Sequence, residues 1–143
     1  MYDERFVAPM RAELVEAGVA EARTAAEVEA ALAAPGTTLV VVNSVCGCAA
    51  RNARPAVRAA MQHATTPTRA ITVFAGNDVD ATTRARAAFT GYRPSSPSMG
   101  LLKDGKLVFM LERHQIEGRS ATEIAQDLVS AFDRYCVESG VSA

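Results

Sequence analysis

The chain contains no tryptophan, two histidines and three cysteines, and aromatic residues make up only 6% of its 143 positions. So few imidazoles and thiols leave little material for a metal cage, and His63, His114 and Cys136 stand at no zinc-motif spacing to Cys46 and Cys48. Three cysteines also make an odd, small number for a disulfide-stapled secreted domain, and a hydrophobic content of 49% supplies a core that needs no staple. Charge of one sign is missing as well. Lysine and arginine total 15 against 16 acidic residues, and a net charge of −1 offers no footprint for nucleic acid or an anionic membrane. No apolar run is long enough to span a bilayer, and Met1-Tyr2-Asp3-Glu4-Arg5 leads into no signal-like stretch, so a cytoplasmic location is expected. Internal repeats and long Pro/Gly/Ser linkers are absent too, and the length suits one domain over residues 1–143.

What is present is a clear succession of periodic segments. Phe6, Val7, Met10, Leu14 and Val15 recur at helical steps, predicting an amphipathic helix bent at Pro9 and closed by Gly18. Thr24-Ala25-Ala26-Glu27 has capping-box form and opens a short helix, with Val28 and Leu32 inward, that stops at Pro35-Gly36. Residues 1–36 thus read as an N-terminal helical extension. Thr37 to Val42 is a continuous β-branched run, the pattern of a central strand covered on both faces. A helix over Ala49 to Ala64, kinked at Pro55, follows it. Ala70 to Ala75 reads as a second buried strand, Gly76-Asn77-Asp78 as turn and cap, and Val79 to Thr90 as a helix stopped by Gly91.

Ser98 to Lys103 and Lys106 to Leu111 flank Asp104-Gly105, a type I′ hairpin signal. Ser120-Ala121-Thr122-Glu123 has capping-box form, and Ile124, Leu128, Val129, Phe132 and Tyr135 line one side of a last helix before a frayed tail at Val137 to Ala143. The order is β-α-β-α-β-β-α. A parallel pair followed by a hairpin, with helices on both faces, predicts an α/β protein with a mixed four-stranded sheet of thioredoxin-like arrangement.

Cys46-Gly47-Cys48 falls where the first strand turns into its helix. Cysteine attacks as thiolate, and the unpaired N–H groups and positive dipole end of a helix start stabilise that anion. Cys46, farther from the helix body, is expected to be the nucleophile and Cys48 the resolving thiol. Gly47 is the spacer most able to let so small a disulfide ring close, and a strained ring is readily reduced. A route in which Cys46 alone cycles through a mixed disulfide needs no ring, and the motif accommodates both. The competing reading makes the two cysteines small inert core residues. Pro97 is expected as a cis-proline beside the sulfurs, leaving the backbone of Ser96 to pair with an extended substrate. Arg51 and Arg54 lie one turn into the motif helix, where they attract a carboxylate-bearing thiol or merely form a solvated face. His114 reads as a loop residue and Cys136 as packing.

The stretch Val40-Val41-Val42-Asn43-Ser44-Val45-Cys46-Gly47-Cys48-Ala49-Ala50, with Ala53-Arg54-Pro55-Ala56 after it, resembles the bacilliredoxin family. Val7-Ala8-Pro9-Met10-Arg11, Val73-Phe74-Ala75-Gly76, Pro94 to Met99, Arg113-His114 with Ile116-Glu117-Gly118, and Ala131-Phe132-Asp133 before Cys136 resemble it too, so the likeness covers nearly the whole chain. It implies a thioredoxin-like fold and a reaction in which Cys46 removes bacillithiol from S-bacillithiolated proteins, with Cys48 or a further low-molecular-weight thiol releasing it. It also carries an attribution of disulfide isomerase activity. Thiolated proteins and a small reducing thiol are the expected partners, with no cofactor and no metal. From a different class stands a non-catalytic module that binds peptides along the Ser96-Pro97 edge.

Overall fold

A computed structural model describes residues 1–137. All but the first residue of the tail expected at Val137 to Ala143 lies outside the described residues.

The β-branched run forms β2 (Thr37–Asn43), buried at every position. It pairs in parallel with β3 (Arg69–Phe74), Val40 opposite Ile71, and antiparallel with β4 (Ser98–Lys103), Val40 opposite Gly100. The hairpin from β4 to β5 (Lys106–Leu111) turns at Asp104 and Gly105, whose φ angles of 49° and 80° are the two positive values a type I′ turn requires. The thioredoxin-like sheet is therefore present, with one correction. It has five strands, ordered β1-β3-β2-β4-β5, because Ala20–Glu21 of the N-terminal extension (β1) adds in parallel to β3. Two residues are too few to display an alternation, which hid this strand in the sequence.

Helices cover both faces. On one, α1 (Glu4–Val15), α3 (Arg54–Ala60) and α6 (Ala121–Tyr135) pack Leu14, Val57, Leu128 and Phe132 against Leu39 and Val41. On the other, α2 (Ala25–Ala33) and α4 (Val79–Ala87) pack Val28, Ala81 and Ala85 against Val40 and Val42. The strict alternation along β2 places successive valines in two different cores. α6 opens with a complete capping box, Ser120 and Glu123 each bonding the other's backbone N–H. At α2 the Thr24 hydroxyl accepts from Glu27 N–H, while the Glu27 carboxylate accepts from Arg23 N–H, one residue earlier than the motif form. No helix among the described residues is long and apolar enough to cross a membrane.

Several local expectations change. In α1 the buried positions are Val7, Arg11 and Leu14, while Phe6 and Val15 are about half exposed. Arg11 enters the protein because Asp78 meets it with a two-pronged ion pair at 2.8 Å on both prongs. Asp78 stands at the start of α4 without capping it, since its carboxylate is turned to Arg11 and to Phe74 N–H. The helix expected over Ala49 to Ala64 begins as a π-helical turn, Ala49–Ala53, and ends at Ala60. The wide turn sits where the Pro55 ring would crowd the carbonyl four residues back, and Arg54 N–H bonds Ala49 instead.

Gly100 leaves no room for a side chain on the α2–α4 face. A Cβ there would lie 2.5 Å from the Phe89 ring and 3.0 Å from Leu107. Gly100→Ala is expected to destabilise the protein by about 1–3 kcal/mol through overpacking, read as a lower urea midpoint.

Candidate active site

The sheet register brings four chain segments to one edge. β2 and β3 both end there, at Asn43 opposite Phe74, while antiparallel β4 starts there with Ser98 opposite Val42. β5 returns to the same edge, Leu111 opposite Met99. The loops that follow or precede these ends are Ser44 to Cys48, Ala75-Gly76, Ser95 to Pro97, and the short helix α5 (Arg113–Ile116). The crevice beyond the carboxyl ends of parallel strands is where such sheets hold ligands.

Cys46 and Cys48 are free thiols with their sulfurs 2.8 Å apart. The Cys46 carbonyl accepts from Ala49 and Ala50 N–H at 3.1 and 3.2 Å, so the motif forms the first turn of the helix as expected. Its Sγ receives the Ser44 hydroxyl at 3.3 Å. Burial pushes the Cys46 pKa up, but hydrogen bonds to its sulfur from the Cys48 thiol, the Ser44 hydroxyl and the N–H groups of Ala49 and Cys48 outweigh it. The net result is a thiol held below its ordinary value. Cys48 moves the opposite way, raised by burial and by donating to a neighbouring anion, with only partial relief from Arg113 and a backbone N–H. Gly47 sits between them outside the left-handed region, and the space beside it is filled by the Arg51 guanidinium, 2.8 Å from where a Cβ would stand.

The loop carrying Cys46 is fixed from below. Arg54, which sequence pattern leaves as either a ligand for acidic thiols or a solvated helix residue, is 3% exposed. It donates Nη1 to the Ser44 carbonyl at 2.8 Å and to Asn43 Oδ1 at 3.0 Å, and Nε to Glu13 at 2.8 Å. Asn43 Oδ1 also accepts Ser44 N–H, and its amide donates to the Met10 carbonyl. Arg51, by contrast, is exposed.

Across the crevice, the Ser96–Pro97 peptide bond is cis. The Ser96 carbonyl accepts from Arg113 Nη1 at 3.1 Å, while Arg113 Nε is paired with Glu117 at 2.9 Å. A cleft of about 410 Å³ opens between these elements, lined by Tyr2, Ser44, Cys46, Gly76, Arg86, Ser96 and Arg113 among others. A larger hollow of about 860 Å³ lies between α2, α4 and the hairpin and contains no cysteine. Tyr2, Ser44, Arg86 and Arg113 carry no role in a reading by sequence pattern. For Arg113 a signal exists: it falls two residues past Leu111, which is in register with Met99 just after the proline. Tyr2 reaches the site through its backbone bonds to Asn77, 75 residues away, which nothing local announces. His114 is largely exposed beside Glu112, and Cys136 packs at the margin of the α6 core, its thiol raised by burial.

Because the Ser44 hydroxyl donates to the Cys46 sulfur, Ser44→Ala should raise the midpoint of Cys46 alkylation by about one pH unit. In the parent protein the alkylation rate is expected to climb with pH and level off below the ordinary thiol value, since the thiolate reacts. In the variant the whole curve moves to higher pH, measurable by iodoacetamide labelling followed by mass spectrometry.

Solved structures with the same architecture include the oxidised thioredoxin of Plasmodium falciparum, at a TM-score of 0.55 and 15% identity over 80% of this chain and 98% of that one. An Entamoeba histolytica thioredoxin variant matches at a TM-score of 0.56 and 16% identity, over 79% and 98% of the two chains. The protein has a thioredoxin fold. A family model described as disulphide isomerase matches residues 2–136. A bacilliredoxin of Koribacter versatilis is 56% identical over 137 residues, covering 95% of this chain and 94% of its own, and one from Shouchella clausii is 56% identical over 126 residues, covering 88% and 89%. The chain belongs to the bacilliredoxin family and is a thiol-disulfide oxidoreductase.

Proposed function

We propose that the protein removes a low-molecular-weight thiol, bacillithiol, from mixed disulfides on other proteins, within a single domain spanning the chain. The observation that carries this reading is the geometry of the two sulfurs: Cys46 Sγ, at the start of the helix, receives the Ser44 hydroxyl at 3.3 Å, and Cys48 Sγ stands 2.8 Å from it, with the Cys46 thiol lowered and the Cys48 thiol raised. Cys46 is the nucleophile. Its thiolate attacks the small-thiol sulfur of the mixed disulfide, a new S–S bond forms to Cys46, and the protein cysteine departs as thiolate. Cys48, 2.8 Å away, loses its proton and attacks Cys46 Sγ, releasing the small thiol and leaving a Cys46–Cys48 disulfide for a further thiol to reduce. Gly47 keeps the two sulfurs on one turn. Substrate backbone pairs with the N–H of Ser96 at Pro97, because the Ser96 carbonyl is already held by Arg113. The bacilliredoxin name of the relatives supports the small-thiol substrate.

A Cys48→Ala variant tests the assignment. Incubated with a bacillithiolated protein, it is expected to free the substrate and gain the mass of one small thiol on Cys46. No adduct, with the substrate unchanged, would overturn the reading. The description of the matching family model favours isomerisation as a second use of the same chemistry. Recovery of activity in a scrambled disulfide protein without stoichiometric reductant would support it.

A further inference from the structure

The cleft beside Cys46 has a composition that exchange at sulfur does not use. Two guanidinium groups line it, Arg86 from α4 and Arg113 from α5, and no carboxylate is among its lining residues. Arg113 spends Nε on Glu117 and Nη1 on the Ser96 carbonyl. Arg86 touches the Ser95 carbonyl at 3.4 Å through Nη2, while its buried Nε has no hydrogen-bond partner among the described residues. Burial without an anion to offset it also lowers the Arg86 pKa. The Arg86 Nε has almost no accessible surface and lies out of reach of a molecule in the cleft; what the guanidinium presents to such a molecule is its charge, which no carboxylate among the lining residues offsets.

We propose that Arg86, with Arg113, forms a subsite for a carboxylate carried by the small thiol, so that the enzyme prefers mixed disulfides of acidic low-molecular-weight thiols. The inference deepens the reading of Cys46 as attacking thiol and rests on it. In-line attack sends the departing protein thiolate away from Cys46, whereas the small thiol stays bonded to Cys46 and its substituents must fit within reach of that sulfur. The cleft is there, and about 410 Å³ suits a small molecule. A planar fork of donors fits a carboxylate.

The test uses two activated disulfides that share pyridine-2-thiol as leaving group and carry either 3-mercaptopropionate or 2-mercaptoethanol as the attacked half. Cys46 thiolate bonds to the attacked sulfur and pyridine-2-thione is released, read by its absorbance. The ratio of the two rates is divided by the same ratio for a free small-molecule thiol, which removes intrinsic reactivity. The wild-type protein is expected to favour the acidic disulfide about tenfold. Arg86→Gln should bring the ratio near one, and Arg86→Lys should restore part of it. Arg84→Gln, on the same helix but outside the cleft, should leave it unchanged. A wild-type ratio near one, or a ratio that Arg86→Gln does not alter, overturns the proposal.

A preference that appears only when the carboxylate is moved to the leaving pyridine ring also overturns it, assigning the cleft to the protein partner. The mercaptoethanol disulfide reads Cys46 alone, so a wild-type protein inert to it defeats the underlying reading rather than the subsite. Should Arg86→Gln not fold, the wild-type ratio decides: it must fall with added salt, and a salt-independent ratio counts against the ion pair.

Discussion

A Cys46→Ser variant should fold normally and lose at least about three orders of magnitude in the rate of mixed-disulfide reduction, as expected when a nucleophile is removed. A hydroxyl in the same place meets the same donors, but they cannot bring an alcohol near ionisation at neutral pH. Cys48 gives little rescue. Without the Cys46 anion beside it the causes that raise its pKa shrink, yet burial, the largest of them, remains. Cys48→Ser, which keeps a donor near the Cys46 sulfur, should retain most of the first step. The single-turnover rate at which the substrate protein's own cysteine is freed, read from the substrate's mass, separates the variants. Comparable loss in both would assign attack to the pair as a unit and remove the asymmetry on which the mechanism rests.

The largest effect on stability should come from Asp78→Asn, about 3 kcal/mol by urea unfolding, because it breaks a buried pair and strands a cation. The Arg11 and Asp78 side chains are 7% and 5% exposed, and both prongs of the pair are 2.8 Å long. Arg11 also touches Glu4 and Glu21, which are partly exposed and retain it in part, so the cost falls at the low end of what breaking such a pair entails. Arg11→Met combined with Asp78→Leu removes both charges, and the double variant should be clearly more stable than the sum of the single changes. Additive losses would mean that the two residues contribute independently. Because Asp78 also accepts Phe74 N–H at the end of β3, the single variant should loosen the Ala75-Gly76 wall of the cleft.

Sequence patterning reads the sheet of this protein well because its strands obey simple rules. The unbroken Thr37 to Val42 run signals burial on both faces, and Asp104-Gly105 demands positive φ at two consecutive residues, which the chain adopts. The thiol pair is legible for a similar reason: it lies at a junction between two strongly patterned elements. Charged residues are where pattern reading fails. Arg11 and Arg54 look like surface residues of amphipathic helices, and each is buried by partners far along the chain, Asp78 and Glu13 with the Ser44 loop. Periodicity assigns a face from hydrophobicity alone, whereas an arginine enters a core only when tertiary structure delivers acceptors to it. Arg86 and Arg113 escape notice likewise, since the cleft exists only once the ends of β2 to β5 meet. The π-helical turn before Pro55 is a milder case: proline announces a disturbance without saying which geometry resolves it.

The donors that lower the Cys46 pKa exist only in the folded chain, which inverts the usual meaning of a labelling experiment. Thiols are ordinarily protected by folding and react faster once a protein opens. Here, below the pKa of either state, the gain in thiolate fraction outweighs the loss of intrinsic nucleophilicity, so native Cys46 is the fast form and denaturation slows it. Cys136, half-buried and raised, follows the ordinary rule and quickens. The two rates converge on that of an ordinary thiol as the chain melts, and their ratio is a built-in gauge of how much of a preparation is native.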